Sequence, residues 1–222
     1  KESGAKAAEK KDKKEVSHKA QEKKDKAVER ERKDELKQKA IAEGGRAMIY
    51  FAAQYADNMI SGMLEDDQEK YDRWDSELGF LTPILKGFLT EKGLEVANDA
   101  MQIFGGHGYI KEHGMEQIVR DARIATLYEG TTGIQALDLL GRKVRIKEGM
   151  ALKILRQEMQ TTLAKACGIS ELAAYAEQLE AALAEVECAV KAVNMAENPE
   201  LGLANATLFL HATGHVVIAW MW

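Results

Sequence analysis

Proline occurs only twice in this chain of 222 residues, at Pro83 and Pro199, so little in the sequence prevents long helices. The composition favours helix as well, because stretches rich in alanine, leucine, glutamate and lysine dominate and aromatic residues make up only 6%. With 45% of its residues apolar, the chain has enough material for a buried core and is not disordered throughout. The sequence therefore predicts an all-α fold.

Charge is distributed unevenly along the chain. Residues 1–40 contain 15 Lys+Arg and 10 Asp+Glu and too little apolar surface for a core of their own. We predict that this charged segment is a solvated helix, supported by i,i+4 pairs such as Glu15–Lys19 and Glu22–Lys26, or is disordered. The net charge of −5 argues against a nucleic-acid partner.

The spacing of apolar residues predicts the helices of the remaining chain. From Ile41 to Met63 they recur at intervals of three and four, which indicates a helix with one buried face. The polar stretch 65–76 is interpreted as a connection, Pro83 as the first turn of a short helix and Thr90 as the N-cap of the next helix. Further helices are predicted over residues 115–123, 131–145, 151–196 with a break near Gly168, and 201–222.

These helices predict an up-and-down bundle over residues 41–145, followed by an appended helical domain over 146–222. The chain starts with Lys1 and stops within an apolar run that ends at Trp222, so we expect both ends to be cut from a longer protein.

The sequence predicts neither a membrane span nor a metal site. No run of 18 uncharged apolar residues occurs. His211 and His215 have an i,i+4 spacing that zinc can use, yet the glutamate of the zinc motif is missing. We expect Cys167 and Cys188 to be buried small apolar residues and the protein to be cytoplasmic, since two plainly spaced cysteines make no disulfide framework.

Two short segments, here called windows, contain residues that a simple helical bundle does not require. The first window is residues 102–109, Gln-Ile-Phe-Gly-Gly-His-Gly-Tyr. Glycines let the backbone approach a ligand closely, so N–H groups here can face a phosphate or pyrophosphate. The alternative is an ordinary helix C-cap, which also favours glycine and whose dipole has the wrong sign for an anion.

The second window is residues 128–133, Tyr-Glu-Gly-Thr-Thr-Gly. Its single acid, Glu129, stands between an aromatic ring and a flexible turn, a placement that can put a carboxylate into an apolar cleft. Such a cleft would strengthen Glu129 as a base for proton abstraction. The alternative is a glutamate that only stabilises the N-terminus of a helix.

Taken together and in this order, the windows resemble the C-terminal helical domain of the acyl-CoA dehydrogenase family. The family signature is Gln-x-x-Gly-Gly-x-Gly-Tyr, then Arg-Asp, here Arg120-Asp121, then Tyr-Glu-Gly-Thr followed by Ile-Gln. The resemblance covers Ile41 to Arg145. The sequence after Arg145 resembles the longer subgroup with an extra helical C-terminal domain, which includes enzymes acting on 3-methylthiopropanoyl-CoA.

The resemblance implies an FAD-dependent 2,3-desaturation of an acyl-CoA thioester. Glu129 would remove the α-proton while a hydride leaves the β-carbon for the flavin, and Tyr128 and Gly130 would contact the substrate. Two groups of residues would contact FAD. They are Thr131, Thr132 and Gly133 for one FAD, and Gln102, Ile103, Phe104, Gly105 and Gly106 for the FAD of a neighbouring subunit.

The resemblance also implies a homo-oligomer, a dimer or larger, with electron-transfer flavoprotein or a similar electron acceptor. It makes Arg120-Asp121 a structural or subunit-interface ion pair. Because the family forms its site with an N-terminal helical domain and a middle β domain, we expect the isolated chain to be inactive. Two alternatives stay open, a helical interaction or scaffold module without catalysis and a fragment of an acyl-CoA oxidase.

Overall fold

The computed structural model describes the backbone of residues 2–222, and the side chains of residues 21–222 except 27 and 199. Residues 2–222 contain no strand, which confirms the predicted all-α fold. The α-helices are α1 (Glu2–Leu64), α2 (Gln68–Pro83), α3 (Leu89–Ile103), α4 (Gly106–Tyr109), α5 (Met115–Ala125), α6 (Thr132–Asp138), α7 (Met150–Cys167), α8 (Ala173–Met195), α9 (Pro199–Leu203) and α10 (Ala206–Met221). π-Helical segments follow α2 and α6 directly, over Ile84–Phe88 and Leu139–Lys143.

The chain divides into two compact units, Lys1–Ala40 and Ile41–Trp222. In the first unit the predicted pair Glu22–Lys26 is present, with 2.7 Å between Lys26 Nζ and Glu22 Oε1. The side chains of the predicted pair Glu15–Lys19 lie outside the described residues. The Glu22–Lys26 pair is exposed to solvent, so it stabilises the helix only weakly.

The second unit buries one continuous apolar core. Its largest fully buried side chains come from helices on both sides of residue 145 and are Met48, Phe80, Leu81, Ile84, Phe88, Leu139, Leu140, Met159, Leu183, Leu210 and Val217. The division into domains at 145/146 stays a prediction, and in this chain both parts contribute to the same core.

The start of this unit differs from the sequence predictions. α2 begins at Gln68, so residues 65–76 are not a connection, and Asp67 caps the helix by accepting a hydrogen bond from the Lys70 N–H at 2.9 Å. Pro83 ends α2 instead of opening a helix. Thr90 lies inside helical structure, where its hydroxyl donates to a carbonyl one turn earlier. Pro83 and Thr90 do not begin new helices, because the helical backbone continues through both residues. This continuous stretch buries apolar side chains in the core.

Three further observations concern predictions about chemistry. Cys167 and Cys188 are exposed free thiols, so the expectation that both are buried is wrong. Within residues 2–222 as the structure describes them, no helix combines the length and apolarity needed to cross a membrane. Among the described side chains, no group of three His, Cys, Asp or Glu residues is arranged to hold a metal ion.

A buried acidic cluster lies between α1, α2 and α7. The hydroxyl of Tyr55 donates to Glu158 Oε2 at 2.5 Å, and the nearby Glu77 is only 3% exposed. Glu77 Oε1 accepts from Arg73 Nε at 3.3 Å, while Glu77 Oε2 has no hydrogen-bond partner among the described residues. Burial, with a smaller contribution from the charge of Glu158, raises the pKa of Glu77 against the opposing hydrogen bond and charge of Arg73.

We expect Glu77→Gln to stabilise the protein at neutral pH. A glutamate whose pKa is raised by folding contributes its full stability below the unfolded pKa, near 4.5, and loses it as pH rises through the folded pKa. The gain should be about 1 kcal/mol at pH 7, since the substitution removes a buried negative charge, and smaller at pH 4, where protonation of Glu77 removes that charge as well. Urea unfolding of both proteins at the two pH values measures this, and an equal difference at pH 4 and pH 7 would contradict it.

Candidate functional site

The glycine window lies at the C-terminal end of α3. Gly105 has φ 59° and ψ −142°, a backbone conformation that essentially only glycine adopts. A Cβ atom on Gly108 would lie 2.5 Å from the carbonyl oxygen of Met101, so Gly108 is needed for the turn to pack on α3. Gly106 has no such local role, because nothing lies within 4 Å of the position of its missing Cβ. The helix-cap interpretation thus accounts for Gly105 and Gly108 but not for Gly106.

The residues before these glycines are open to solvent. Gln102, Ile103 and Phe104 are all exposed, and Phe104 keeps half of its surface accessible. Such exposed apolar side chains beside an open backbone are typical of a surface that another chain or a ligand covers.

The second window forms the turn between α5 and α6. Glu129 and Gly130 both have positive φ, at 55° and 93°, and Thr131 precedes the first residue of α6. Positive φ is unusual for a glutamate, because a Cβ crowds the following carbonyl oxygen there. The turn therefore has a defined but strained conformation.

The expectation that an apolar cleft encloses Glu129 is wrong for this chain taken alone. Glu129 is exposed, and the apolar residues around it, Leu127, Tyr128 and Ile134, are also exposed. These side chains can form one wall of a cleft, but the described residues supply no opposite wall.

Hydrogen bonds hold this turn from two sides. Gln135 Nε2 donates to the carbonyl oxygen of Glu129 at 3.1 Å, and Lys86 Nζ donates to the carbonyl oxygen of Gly130. The N–H groups of Glu129 and Gly130, by contrast, donate to no acceptor within the described part of the chain. The Glu129 carboxylate likewise has no hydrogen-bond or ion-pair partner among the described residues.

The predicted cofactor residues after Glu129 differ in their availability. Thr131 occupies the N-cap position of α6 without a capping hydrogen bond from its side chain, and it is exposed. The Thr132 hydroxyl donates to Glu91 Oε1 at 2.6 Å and keeps only its acceptor capacity for a ligand. Gly133 is exposed and has open space where a Cβ would stand.

The two windows lie at opposite ends of α3 instead of meeting at one point. The second window is tied by Thr132 to Glu91 in the first turn of α3, whereas Gln102 is in the last turn. The eleven steps along the helix from Glu91 to Gln102 correspond to about 16 Å. One small pocket formed by both windows of the same chain is therefore excluded.

Arg120-Asp121, the middle part of the signature, lies on α5. Both side chains are exposed, and Asp121 accepts a hydrogen bond from Gln117 Nε2 at 2.7 Å. A role as a subunit-interface ion pair stays a prediction.

Sequence reasoning missed the contributions of Lys86 and Glu91 to this site. Both precede the second window by about forty residues, and neither belongs to a recognisable motif. The one available signal is the helical pattern that runs from Ile84 into α3, because the start of this helical stretch had to pack against some later element.

Comparison with known proteins gives two family matches and a similar solved structure. The family described as "Acyl-CoA dehydrogenase, C-terminal domain" matches residues 32–144, and the family described as "Acetyl-CoA dehydrogenase C-terminal like" matches residues 155–222. Caenorhabditis elegans ACDH-11, solved in complex with C11-CoA, shares the fold at a TM-score of 0.59 and 23% identity, over 80% of this chain and 32% of that one.

Curated relatives are similar over most of this chain. The 3-methylmercaptopropionyl-CoA dehydrogenase of Ruegeria pomeroyi is 36% identical over 186 residues, which is 81% of this chain and 30% of that protein. A broad-specificity linear acyl-CoA dehydrogenase of Mycobacterium tuberculosis is 30% identical over 189 residues, with the same coverage. The chain thus spans about a third of the length of these relatives. With half of its residues matched by the family's C-terminal domain and the resemblance to the longer subgroup confirmed, the chain belongs to the acyl-CoA dehydrogenase family.

Proposed function

We propose that this chain is the C-terminal part of a longer, FAD-dependent acyl-CoA dehydrogenase that desaturates an acyl-CoA thioester between carbons 2 and 3. The observation that carries the proposal is the turn at Glu129, where a carboxylate and two N–H groups have no hydrogen-bond partner among the described residues. Removal of a proton next to a thioester requires a base and, beside it, hydrogen-bond donors for the thioester oxygen.

Glu129 is the base in this proposal. The proton on the α-carbon of a thioester is weakly acidic, so its removal needs a nearby carboxylate and stabilisation of the charge that develops on the thioester oxygen. Among the described residues no group accepts a hydrogen bond from the Glu129 N–H, which can therefore donate to that oxygen. FAD, when bound, supplies the oxidant by taking up the hydride that the β-carbon loses as the double bond forms.

The exposure of Glu129 in this chain fits a role that other domains complete. Leu127, Tyr128 and Ile134 leave an apolar rim around the carboxylate, and covering this rim would exclude water from the reacting atoms. Because this chain alone leaves the rim open, we propose that it does not turn over substrate by itself.

The cofactor contacts are proposed at two separate places. Thr131 and Gly133 are open beside the base, and Gly105 and Gly106 are open at the other end of α3. A separation of about 16 Å along the helix supports contacts to two FAD molecules, one of them bound mainly by a second subunit. We therefore propose a homodimer or larger oligomer. We also propose a cytoplasmic location and electron-transfer flavoprotein or a similar protein as the electron acceptor.

A visible absorption spectrum tests the proposal. After mixing with FAD and desalting, the full-length protein should retain flavin, and its absorption band should bleach when an acyl-CoA is added without oxygen. The 222-residue chain treated in the same way should retain none. A full-length protein that holds flavin but does not bleach with acyl-CoAs of short, medium and long chain length would contradict the proposal.

Gly106→Ala separates cofactor binding from folding in the same experiment. A Cβ at Gly106 meets nothing within 4 Å, so the variant of the 222-residue chain should unfold at the same temperature as the unchanged chain. In the full-length protein, however, the methyl group should hinder the approach of FAD and lower its affinity by about tenfold, which corresponds to roughly 1.4 kcal/mol. Gly108→Ala is the matched control for structure, since its Cβ would lie 2.5 Å from a carbonyl oxygen and should destabilise the chain itself.

A further inference from the structure

The turn that carries Glu129 requires external support. Glu129 and Gly130 are consecutive residues with positive φ, and this backbone conformation is strained at the glutamate, which carries a Cβ. A Cβ on Gly130 would lie 3.1 Å from Gln135 Nε2, so the turn is packed tightly against the first turns of α6. Strained backbone of this kind persists only where its surroundings leave it no alternative.

Two side chains from different elements supply that support. Gln135, on α6, donates to the carbonyl oxygen of Glu129, and Lys86, on the π-helical segment Ile84–Phe88, donates to the carbonyl oxygen of Gly130. The bonds fix the orientation of both peptide groups that follow the Glu129 Cα. Since the lysine is charged and half-buried, its bond is of the stronger, charge-assisted kind.

The π-helical segment explains how Lys86 reaches this turn. Lys86 and Glu91 are five residues apart, which would separate their side chains by about 140° around a regular α-helix. In the segment Ile84–Phe88 the hydrogen bonds run from residue i to residue i+5, and this wider turn brings positions five apart closer to one face. Lys86 bonds to Gly130 and Glu91 to Thr132, so both side chains contact the same turn.

Close packing keeps the π segment next to α6. A Cβ on Gly87 would lie 3.2 Å from Gln135 Cβ on α6 and 2.7 Å from Leu210 Cδ2 on α10, so the π segment lies in close contact with both helices at this position. Lys86, adjacent to Gly87, is therefore held at a fixed distance from the turn by the core of the protein.

We infer that Lys86 and Gln135 are positioning residues, which hold the Glu129–Gly130 turn in its left-handed conformation and thereby aim the Glu129 carboxylate at the α-proton. The inference rests on the proposed function for the identity of the base. The conformational part can be tested in this chain without any catalysis.

The first experiment uses ¹⁵N relaxation of the 222-residue chain. In the unchanged chain we expect a rigid turn, with an order parameter of about 0.85 at Glu129 and Gly130. In Lys86→Met and in Gln135→Leu the value should fall below about 0.6 at these two residues while the rest of the core keeps its rigidity. Lys86→Arg, which retains charge and donors, should restore the rigid turn.

Lys147→Met is the matched control, since Lys147 Nζ also donates to a backbone carbonyl, that of Asp72, at 3.0 Å. This variant should leave the Glu129 turn unchanged. Unchanged order parameters at Glu129 and Gly130 in whichever of Lys86→Met and Gln135→Leu keeps its fold would overturn the inference.

The second experiment measures steady-state kinetics of the full-length enzyme. Lys86→Met should lower kcat by about 10- to 100-fold with little change in KM, because a displaced base affects the chemical step and not substrate binding. Lys86→Arg should recover most of the loss, and an unchanged kcat in Lys86→Met would overturn the positioning role. Failure of the proposed function itself is detected separately, because Glu129→Gln would then also retain full activity.

Discussion

Replacing Glu129 by glutamine should lower the rate of flavin reduction by an acyl-CoA about 10³-fold in the full-length enzyme. The substitution keeps the size of the side chain and removes its ability to accept the α-proton. Anaerobic stopped-flow measurement of flavin bleaching gives this rate directly, without a contribution from the electron acceptor.

The structure also predicts what Glu129→Gln should leave unchanged. The Glu129 side chain is exposed and its carboxylate has no partner among the described residues, so the stability of the chain should change by less than about 0.5 kcal/mol. FAD should stay bound, because the backbone of the turn is retained. Glu177→Gln, at an exposed acid on α8, is the matched control and should reduce its flavin at the normal rate. Rapid bleaching in the Glu129 variant would show that the base is another residue.

Gly214→Ala should destabilise the protein by about 2 kcal/mol or more, although alanine normally favours a helix. Gly214 is buried in α10, and a Cβ there would lie 2.3 Å from Cγ of Phe88 and 2.6 Å from two further ring atoms. The ring cannot turn away easily, because Phe88 is fully buried and His215 packs edge-on against it at 4.9 Å between ring centroids. The thermal midpoint of the 222-residue chain should fall by roughly 5 °C.

Gly93→Ala is the matched control for this prediction. Gly93 also lies inside a helix, α3, but nothing is within 4 Å of its missing Cβ. This variant should be more stable by about 0.5–1 kcal/mol, because alanine loses less backbone entropy on folding than glycine. The cost of Gly214→Ala should shrink in a Phe88→Leu background, where the smaller side chain leaves room. Equal effects of the two glycine substitutions would contradict the close contact between Gly214 on α10 and the ring of Phe88 on the π segment.

Helical periodicity predicted the fold class and the approximate positions of the main helices. It did so because apolar residues at intervals of three and four can be buried together only on a helix. The boundaries around α2 were predicted less well. Residues 65–76 look like a polar connection, yet residues 68–76 form the first turns of α2, whose later turns carry the buried Phe80 and Leu81. Local polarity alone does not distinguish a loop from a solvent-facing helical turn.

The identity of the candidate site was readable in the chain, because two short motifs with unusual glycines stand in a fixed order and match a known family. Glu129 and the glycines Gly105 and Gly106 could therefore be predicted as site residues from the sequence alone. Their surroundings could not. An apolar cleft around Glu129 was inferred from neighbouring residue types, but the structure leaves the carboxylate exposed, since a cleft needs walls from elements that local sequence does not specify.

Tertiary structure alone decided which distant residues support the motif. Lys86 contacts Gly130, which is 44 positions away in the sequence, and Thr132 contacts Glu91, which is 41 positions away. No local sequence pattern predicts these contacts. Tertiary structure also decided that the two motifs lie at opposite ends of α3. The physical reason is that motif residues are defined by backbone conformation and chemistry within a few positions, whereas their supports are whichever side chains the packing of α3 and the π segment brings against them.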